Sequence, residues 1–346
     1  MENKPAKIPE NAKGMGRGPG TTVPVLDLGP FLAGAPRSEE VLAASLREAA
    51  STVGFFYIAN HGVSQDLVGA AFEAAERFHA LPLEQKLELK VTDDNQGYMP
   101  MRGSTHRTSD GLKMDSTNSK PNVNEAFFVR REFEPEHPKK GQRYHKENRW
   151  PKDLPGFRET VIEYFETLQN LGKKLLPLYA LALDLPATYF DPHFSDPISA
   201  LRLTHYPPIA SGADEFSIAP HFDSSFMTIL AQNKVPGLQI QDYRTSEWVD
   251  VGIVEGTFIV NIGEVLRRLT NGLFLATPHR AYNVSGRDRY AIPYFLHPDA
   301  EMMLEPLSTT VVPNNPPDFP VQTTDEYLRW FASMNYDHSR PEEQSV

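Results

Sequence analysis

A mixed α/β chain with an all-β core, of the sandwich or jelly-roll kind and flanked by helices at both ends, is the fold class the sequence predicts. Three observations predict it. From Leu201 onward short β-like runs follow one another: "ALRLTHY", "FMTILAQ", "GLQIQD", "WVDVG", "TFIVNIG", "HRAYNV" and "YAIPYFL", several of them separated by Pro-Gly, Asn-Gly or Ser-Gly. Strands at such spacing belong to sandwiches and jelly rolls. Upstream of them, apolar residues recur with a helical period instead. Downstream, "TDEYLRWFASMNYDHSRPEEQSV" reads as one closing helix with a frayed end.

The bulk properties are those of a globular protein. The chain has 346 residues, 40% hydrophobic and 23% charged, enough for a sizeable core in one large domain or two modest ones. Its net charge of −11 and the absence of a long Lys/Arg run argue against nucleic acid as a partner. They leave room for an anionic small molecule, since a few local arginines override a global charge. There is no cysteine, which excludes a disulfide framework, a thiolate nucleophile and a Cys-based zinc site. No apolar stretch reaches the roughly 18 residues that would span a membrane, and "MENKPAKIPENAKGMGRGPGTT" has no apolar h-region. No membrane association and cytoplasmic residence are therefore expected.

Taken in order, residues 1–22 read as a disordered tail, residues 23–195 as a mostly helical N-terminal portion, residues 196–300 as the β core and residues 301–346 as the closing segment. "TVPVLDL" is a short strand. A helix from Ser38 carries Val41, Leu42, Leu46, Ala49 and Val53 on one face, with Glu39 and Glu40 at its positive end. "GFFYIANHGV" is a buried strand and turn, in which His61 is a structural residue rather than a ligand. Ser64 caps a second helix bearing Leu67, Val68, Ala71, Phe72, Ala75 and Phe78. Residues 91–152 are polar and irregular, as functional or mobile stretches tend to be. A long helix follows from Asp153 to Leu183, with Gly172 a mild weakness in it.

The chemistry begins at "IAPHFDSSFMTILAQ", at the start of a strand. Residues two apart on a strand share a face, so His221 and Asp223 project together and Phe222 away from them. An isolated His-x-Asp is more often a salt bridge than a ligand pair. His279, at the head of the strand in "PHRAYNV", supplies a third ligand, and two histidines with one carboxylate form the facial triad of non-haem Fe(II) oxygenases. A hydrolytic zinc site would need a base or activated-water arrangement, to which no residue here points. Ten residues after His279, Arg289 opens a strand on which Ala291, Pro293 and Phe295 share its face. Its planar fork suits a carboxylate held near the metal.

With those residues in view, "VPVLDL", "GFFYIANHGV", "LRLTHYPP", "HFDSSFMTILAQNKVPGLQI", "GTFIVNIGEVLRRLTNGLFLATPHRAYN" and "RYAIPYF" resemble the Fe(II)/2-oxoglutarate-dependent dioxygenases of the isopenicillin N synthase-like group. The likeness runs from about residue 23 to 300. It implies a double-stranded β-helix (jelly roll) flanked by N-terminal and C-terminal helices. It also implies Fe(II), 2-oxoglutarate and O2, with His221, Asp223 and His279 as iron ligands. The expected reaction is hydroxylation, desaturation or cyclisation of a small-molecule substrate, with 2-oxoglutarate decarboxylated to succinate and CO2. The motif that binds the far carboxylate of 2-oxoglutarate is Arg-x-Ser in this group and Arg289-Tyr290-Ala291 here, so the arginine is kept and the hydroxyl is lost. Tyr206 matches the tyrosine that also reaches that carboxylate, while Thr204 and His205 replace the two residues before it. Phe295 and Ala281 are expected to line the substrate pocket, with a lid around Tyr98, Met99, Arg102 and Arg131. "NIGEVLRRLTNG" reads as fold-building, with Asn261 and Gly263 at a turn. Two alternatives stand beside this reading: an isopenicillin N synthase-like oxidase that does not use 2-oxoglutarate, and a non-catalytic jelly-roll binding protein.

Overall fold

The computed structural model describes residues 22–92, 94–105, 120–210 and 215–336. The tail expected over residues 1–22 lies outside them except for Thr22, as does the frayed end. The N-terminal portion holds β1 (Val25–Asp27), α1 (Gly29–Leu32), α2 (Ser38–Thr52), β2 (Phe55–Ala59), α3 (Gln65–His79) and α4 (Leu83–Leu87). It continues with β3 (Gly97–Met99), β4 (Glu125–Arg130) and α5 (Phe157–Ala182). The core strands are β5 (Ala200–Tyr206), β6 (Ile218–His221), β7 (Met227–Gln232), β8 (Leu238–Gln241) and β9 (Trp248–Asp250). They end with β10 (Phe258–Ile262), β11 (His279–Ala281) and β12 (Arg289–Leu296). The short helix α6 (Glu264–Leu269) follows β10, and α7 (Thr324–Asn335) closes the chain.

These strands make a jelly roll of two sheets. The larger has the order β1-β2-β10-β7-β12-β5-β4-β3 and the smaller β6-β11-β8-β9. All pairings are antiparallel except β1 with β2. Strand alternation divides the large sheet cleanly. Phe127, Val129, Leu201, Leu203, Ile229, Ile292 and Tyr294 face outward and join the buried apolar residues of α2, α3 and α5 in one core. Their neighbours Phe128, Arg130, Arg202, Tyr206, Leu230, Ala291, Pro293 and Phe295 face the inside of the roll, where they line cavities. A strand with two such faces has a period of two, and that period alone decides which residues can meet a ligand.

Local signals account for most of the helices. The Ser64 hydroxyl accepts from the Asp66 amide at the head of α3, and Thr323 with Glu326 forms a reciprocal capping box at the head of α7. In α2 the buried stripe is Leu42, Ala43, Leu46, Ala49 and Ala50. Val41, expected on that stripe, is 65% exposed, because one residue along a helix turns about 100° away from its neighbour. Gly172, a weak helix former, is also a packing site. A Cβ there would lie 3.2 Å from Leu296 Cδ2, so the missing side chain lets α5 settle against β12.

The segment 91–152, expected to be irregular, contains β3 and the six-residue β4, every residue of which is buried. "EAFFVR" carries charge at both ends, which masked it. Pairing with β5 over its whole length is what holds it in the sheet.

Candidate metal and cosubstrate site

His221 ends β6 and His279 begins β11, and the two are directly opposite partners in the small sheet. Their rings stand 4.2 Å apart between centroids. In each, Nδ1 bonds a backbone carbonyl two residues back, Ala219 for His221 at 2.9 Å and Thr277 for His279 at 3.1 Å. A carbonyl can only accept, so each bond places a proton on Nδ1 and leaves Nε2 as the atom the ring can offer to a metal. Both Nε2 atoms converge on Asp223 Oδ1, at 3.8 Å and 3.6 Å.

Asp223 is not on the strand. β6 stops at His221, and Asp223 lies in the turn that carries the chain from the small sheet to β7 of the large one. Convergence of the pair therefore comes from this turn rather than from strand alternation. It also puts Phe222, expected on the opposite face, in the wall of a cavity with its two neighbours. The turn is held from α6. Asp223 O accepts from the Glu264 amide at 2.8 Å, and a Cβ on Gly263 would come within 1.9 Å of Ser225 O, so only glycine permits this approach.

The second carboxylate oxygen is held separately. Thr228 Oγ1 donates to Asp223 Oδ2 at 2.6 Å and Asn261 Nδ2 donates to the same atom at 2.7 Å. Thr228 and Asn261 are directly opposite one another on β7 and β10, so their side chains share a face. Reading Asn261 as a turn residue missed this role, since nothing in the local sequence shows that two strands place it beside Thr228. Burial pushes the Asp223 carboxyl up, but the neighbouring His279 and His221 rings and the Thr228 hydroxyl outweigh it and hold the group well below the usual carboxylate range. Oδ2 is thus fixed and Oδ1 stays charged and directed at the two imidazoles.

Two other clusters of His and carboxylate occur among the described residues, and each already holds a cation. Lys86 Nζ lies 2.8 Å from Glu125 in the His79, Glu125, His205 group. Arg131 and Lys139 each lie 3.4 Å from Asp196 in the group with His137 and His145. No lysine or arginine among the described residues pairs with Asp223. Of the three, this trio alone sets two imidazole Nε2 atoms around a carboxylate that no lysine or arginine already holds, a donor set suited to a divalent ion.

Arg289 is buried beside it. It pairs across the ladder with Tyr206, and its guanidinium carbon lies 4.8 Å from the centre of the Tyr206 ring. Nη2 donates to Gln232 Oε1 at 2.8 Å, while Nε and Nη1 have no hydrogen-bond partner. Gln232 stands opposite Ala291, where the resemblance leads one to look for a serine. A buried guanidinium with two free donors is costly unless an anion meets it, and its fork matches a carboxylate. One cavity is lined by His221, Asp223, His279, Arg289, Tyr206, Ala291, Ala281 and Phe295 together. The residues present fit both a divalent metal and an oxo acid.

The expected lid residues lie elsewhere. Tyr98 on β3 pairs with Phe127 on β4, so it points toward the helices, where its hydroxyl donates to Glu125 Oε2 at 2.5 Å. Arg102 pairs with Glu215 at the surface, and Arg131 pairs with Asp196 over the Phe133 ring. Met99 is buried with Val91, Ala126 and Phe128. In their place a second cavity adjoins the trio, lined by Phe128, Arg130, Arg143, Arg202, Phe295 and Tyr336 among others. β4 delivers Arg130 and Phe128 inward by alternation, which leaves Arg131 outside by one position.

Comparison with known proteins agrees with this geometry. Residues 23–153 match the family model described as the N-terminal part of non-haem dioxygenases in morphine synthesis, and residues 197–298 match that of the 2OG-Fe(II) oxygenase superfamily. A 2-oxoglutarate-Fe(II) type oxidoreductase of Emericella nidulans is 31% identical over 91% of this chain and 91% of its own length. Clavatol oxidase of Penicillium crustosum is 31% identical over 92% and 98%. Among solved structures, a full-length Neurospora crassa protein in complex with alpha-KG and thymine superposes with a TM-score of 0.79 at 26% identity, covering 93% of this chain and 99% of that one. A rice dioxygenase for auxin oxidation gives 0.70 at 25%, covering 90% and 95%.

Proposed function

The chain belongs to the 2OG-Fe(II) oxygenase superfamily, and from that premise we propose that His221, Asp223 and His279 are its iron ligands and that Arg289 with Tyr206 receives its cosubstrate. The protein is an Fe(II)- and 2-oxoglutarate-dependent oxygenase that acts on small molecules. The observation that carries the residue assignment is the convergence of two imidazole Nε2 atoms on one carboxylate oxygen, with an anion-seeking guanidinium in the same cavity.

When bound there, iron and 2-oxoglutarate supply with O2 the oxidising power to attack an unactivated C–H bond, with release of succinate and CO2. The chain does the rest. His221 and His279 present Nε2, and their Nδ1 bonds keep those atoms aimed. Asp223 presents Oδ1 while Thr228 and Asn261 hold Oδ2. The Arg289 fork grips the far carboxylate of the cosubstrate, and Gln232 keeps that fork in plane. Phe55, Leu230, Leu238 and Phe295 wall the cavity and exclude water. The adjoining cavity under α7 is the place for the substrate, closed by Leu328, Phe331 and Tyr336.

Anaerobic titration with Fe(II) and then 2-oxoglutarate tests this assignment. A weak visible charge-transfer band followed by succinate on admitting O2 is expected. His221→Ala and Asp223→Ala should each lose iron binding and turnover. Full activity in either variant would refute the ligand assignment.

A further inference from the structure

The adjoining cavity carries a charge pattern that Fe(II) and 2-oxoglutarate do not account for. Arg130 on β4 and Arg202 on β5 are both buried. Phe128 stands directly opposite Arg202, and Arg130 directly opposite Ala200. Arg130 and Arg202 are therefore diagonal neighbours on the inner face, a position close enough for like charges to repel. Neither has a carboxylate within ion-pair distance among the described residues. Arg130 Nε donates to Asp94 O at 2.8 Å and Nη1 to Ile198 O at 3.0 Å. Arg202 Nη2 donates to Asn124 Oδ1 at 2.9 Å, and its Nε is buried without a partner. Each of these acceptors is neutral.

A third arginine, Arg143, lines the same cavity, and its nearest carboxylate, Asp325, is 3.7 Å away and already bonded to Arg329 at 2.8 Å. Between Arg130 and Arg143 lies the ring of Tyr144, 4.9 Å and 5.1 Å from the two guanidinium carbons. Tyr144 sits at φ +66°, a conformation a bulky residue adopts only where its surroundings impose it, and such strain gathers at ligand sites. Its buried hydroxyl has no hydrogen-bond partner. His297, in the same wall, is pushed down to about 3 by burial and by the charge on Arg130, so it adds no counter-charge and stays neutral. Asp223 is the one carboxylate among the cavity residues, and it belongs to the iron.

We propose that the substrate is a small organic acid whose carboxylate is taken by Arg202 and Arg130, with its apolar body against Phe128, Phe295 and Phe331 and directed toward His221 and Asp223. Two buried guanidinium groups without counter-ions are a standing cost that an incoming anion relieves. The planar fork fits a carboxylate in particular. Arg202 borders both cavities, so an acid held there lies beside the iron position while Arg289 remains with the cosubstrate. The apolar walls of the cavity set the rest of the molecule as hydrocarbon or aromatic rather than sugar-like. The substrate class rests on the iron-site assignment above, but anion binding at these arginines can be read without it.

The test is a binding screen of the full chain, with Mn(II) and saturating 2-oxoglutarate present so that Arg289 is occupied. The probes are matched pairs of aryl, indolyl and alkyl carboxylic acids and their primary amides, followed by thermal shift and then calorimetric titration. The best acids should bind about tenfold or more tightly than their amides. Arg202→Gln and Arg130→Gln should each erase most of that preference, and Arg202→Lys, which keeps the charge and loses the fork, should retain part of it. Acids that bind no better than amides, a screen with no acid hit, or a preference that survives in both Gln variants would overturn the proposal. Arg289→Met separates the two readings. It should lose 2-oxoglutarate binding and keep the acid preference, and an unaffected 2-oxoglutarate affinity would count against the cosubstrate assignment alone.

Discussion

Replacing Asn261 with Ala should weaken metal binding without touching a ligand. Asp223 Oδ2 receives two short hydrogen bonds, from Thr228 at 2.6 Å and Asn261 at 2.7 Å, and both hold the carboxylate so that Oδ1 meets the imidazoles. A hydrogen bond to a charged group contributes about 1.5–3 kcal/mol. If Asn261 spends that energy on orientation, its loss appears as about a 10- to 100-fold rise in the metal Kd, the range seen when such supporting partners of a ligand are removed. Mn(II) titration followed by electron paramagnetic resonance reads the affinity directly, with no turnover required. Asn261→Ala also opens a cavity beside Phe55, its partner across the ladder. Thr228→Val is the matched control, because it removes the other donor while keeping the side-chain volume. Both variants should weaken Mn(II) binding, and the double variant should do so more than either. Affinities within about twofold of the parent in both single variants would refute the idea that these bonds orient the ligand.

Restoring the hydroxyl with Ala291→Ser should lower the KM for 2-oxoglutarate by up to about tenfold, since a new donor would face the carboxylate held by Arg289. Succinate release at varied 2-oxoglutarate checks this, and a raised KM would show that residue 291 does not face the cosubstrate. His61, stacked 4.3 Å from Phe258, is pushed down to about 4 by burial, against a weaker opposing pull from the Gly256 backbone. Its folded value is below its unfolded value of 6.5, so its contribution to stability is complete above pH 6.5 and is lost as the pH falls toward 4. That loss amounts to about 3 kcal/mol, and His61→Phe should remove it, so that urea melts show a shallower decline with acid. Parallel declines in the two proteins would rule this origin out.

What could be read in one dimension was whatever depends on near neighbours. Strand alternation in "RYAIPYF" placed Arg289, Ala291, Pro293 and Phe295 on one face, and all four line the cavity with the trio. Ser64 capped its helix, and the span of the long helix was right to within about a turn at its start. The order His221, Asp223, His279, Arg289 pointed to a candidate metal chemistry, and the family resemblance supplied its cofactors. Elsewhere local pattern failed. β4 looked polar because its ends are charged, and only its pairing with β5 shows that Arg130 turns inward while Arg131 does not. Tyr98 was expected to meet substrate, yet its ladder partner Phe127 turns it to the helices.

By itself, then, the sequence determined the class of fold, through periods of two and 3.6, and picked out three candidate ligands with an accompanying arginine by residue type and order. The tertiary structure decided which oxygen of Asp223 is left for a metal, that Asn261 and Thr228 hold the other, and that Arg130 and Arg202 face one cavity without counter-ions. Those facts depend on residues from separate strands meeting across a sheet, and register between distant strands is set by the packing of the whole core.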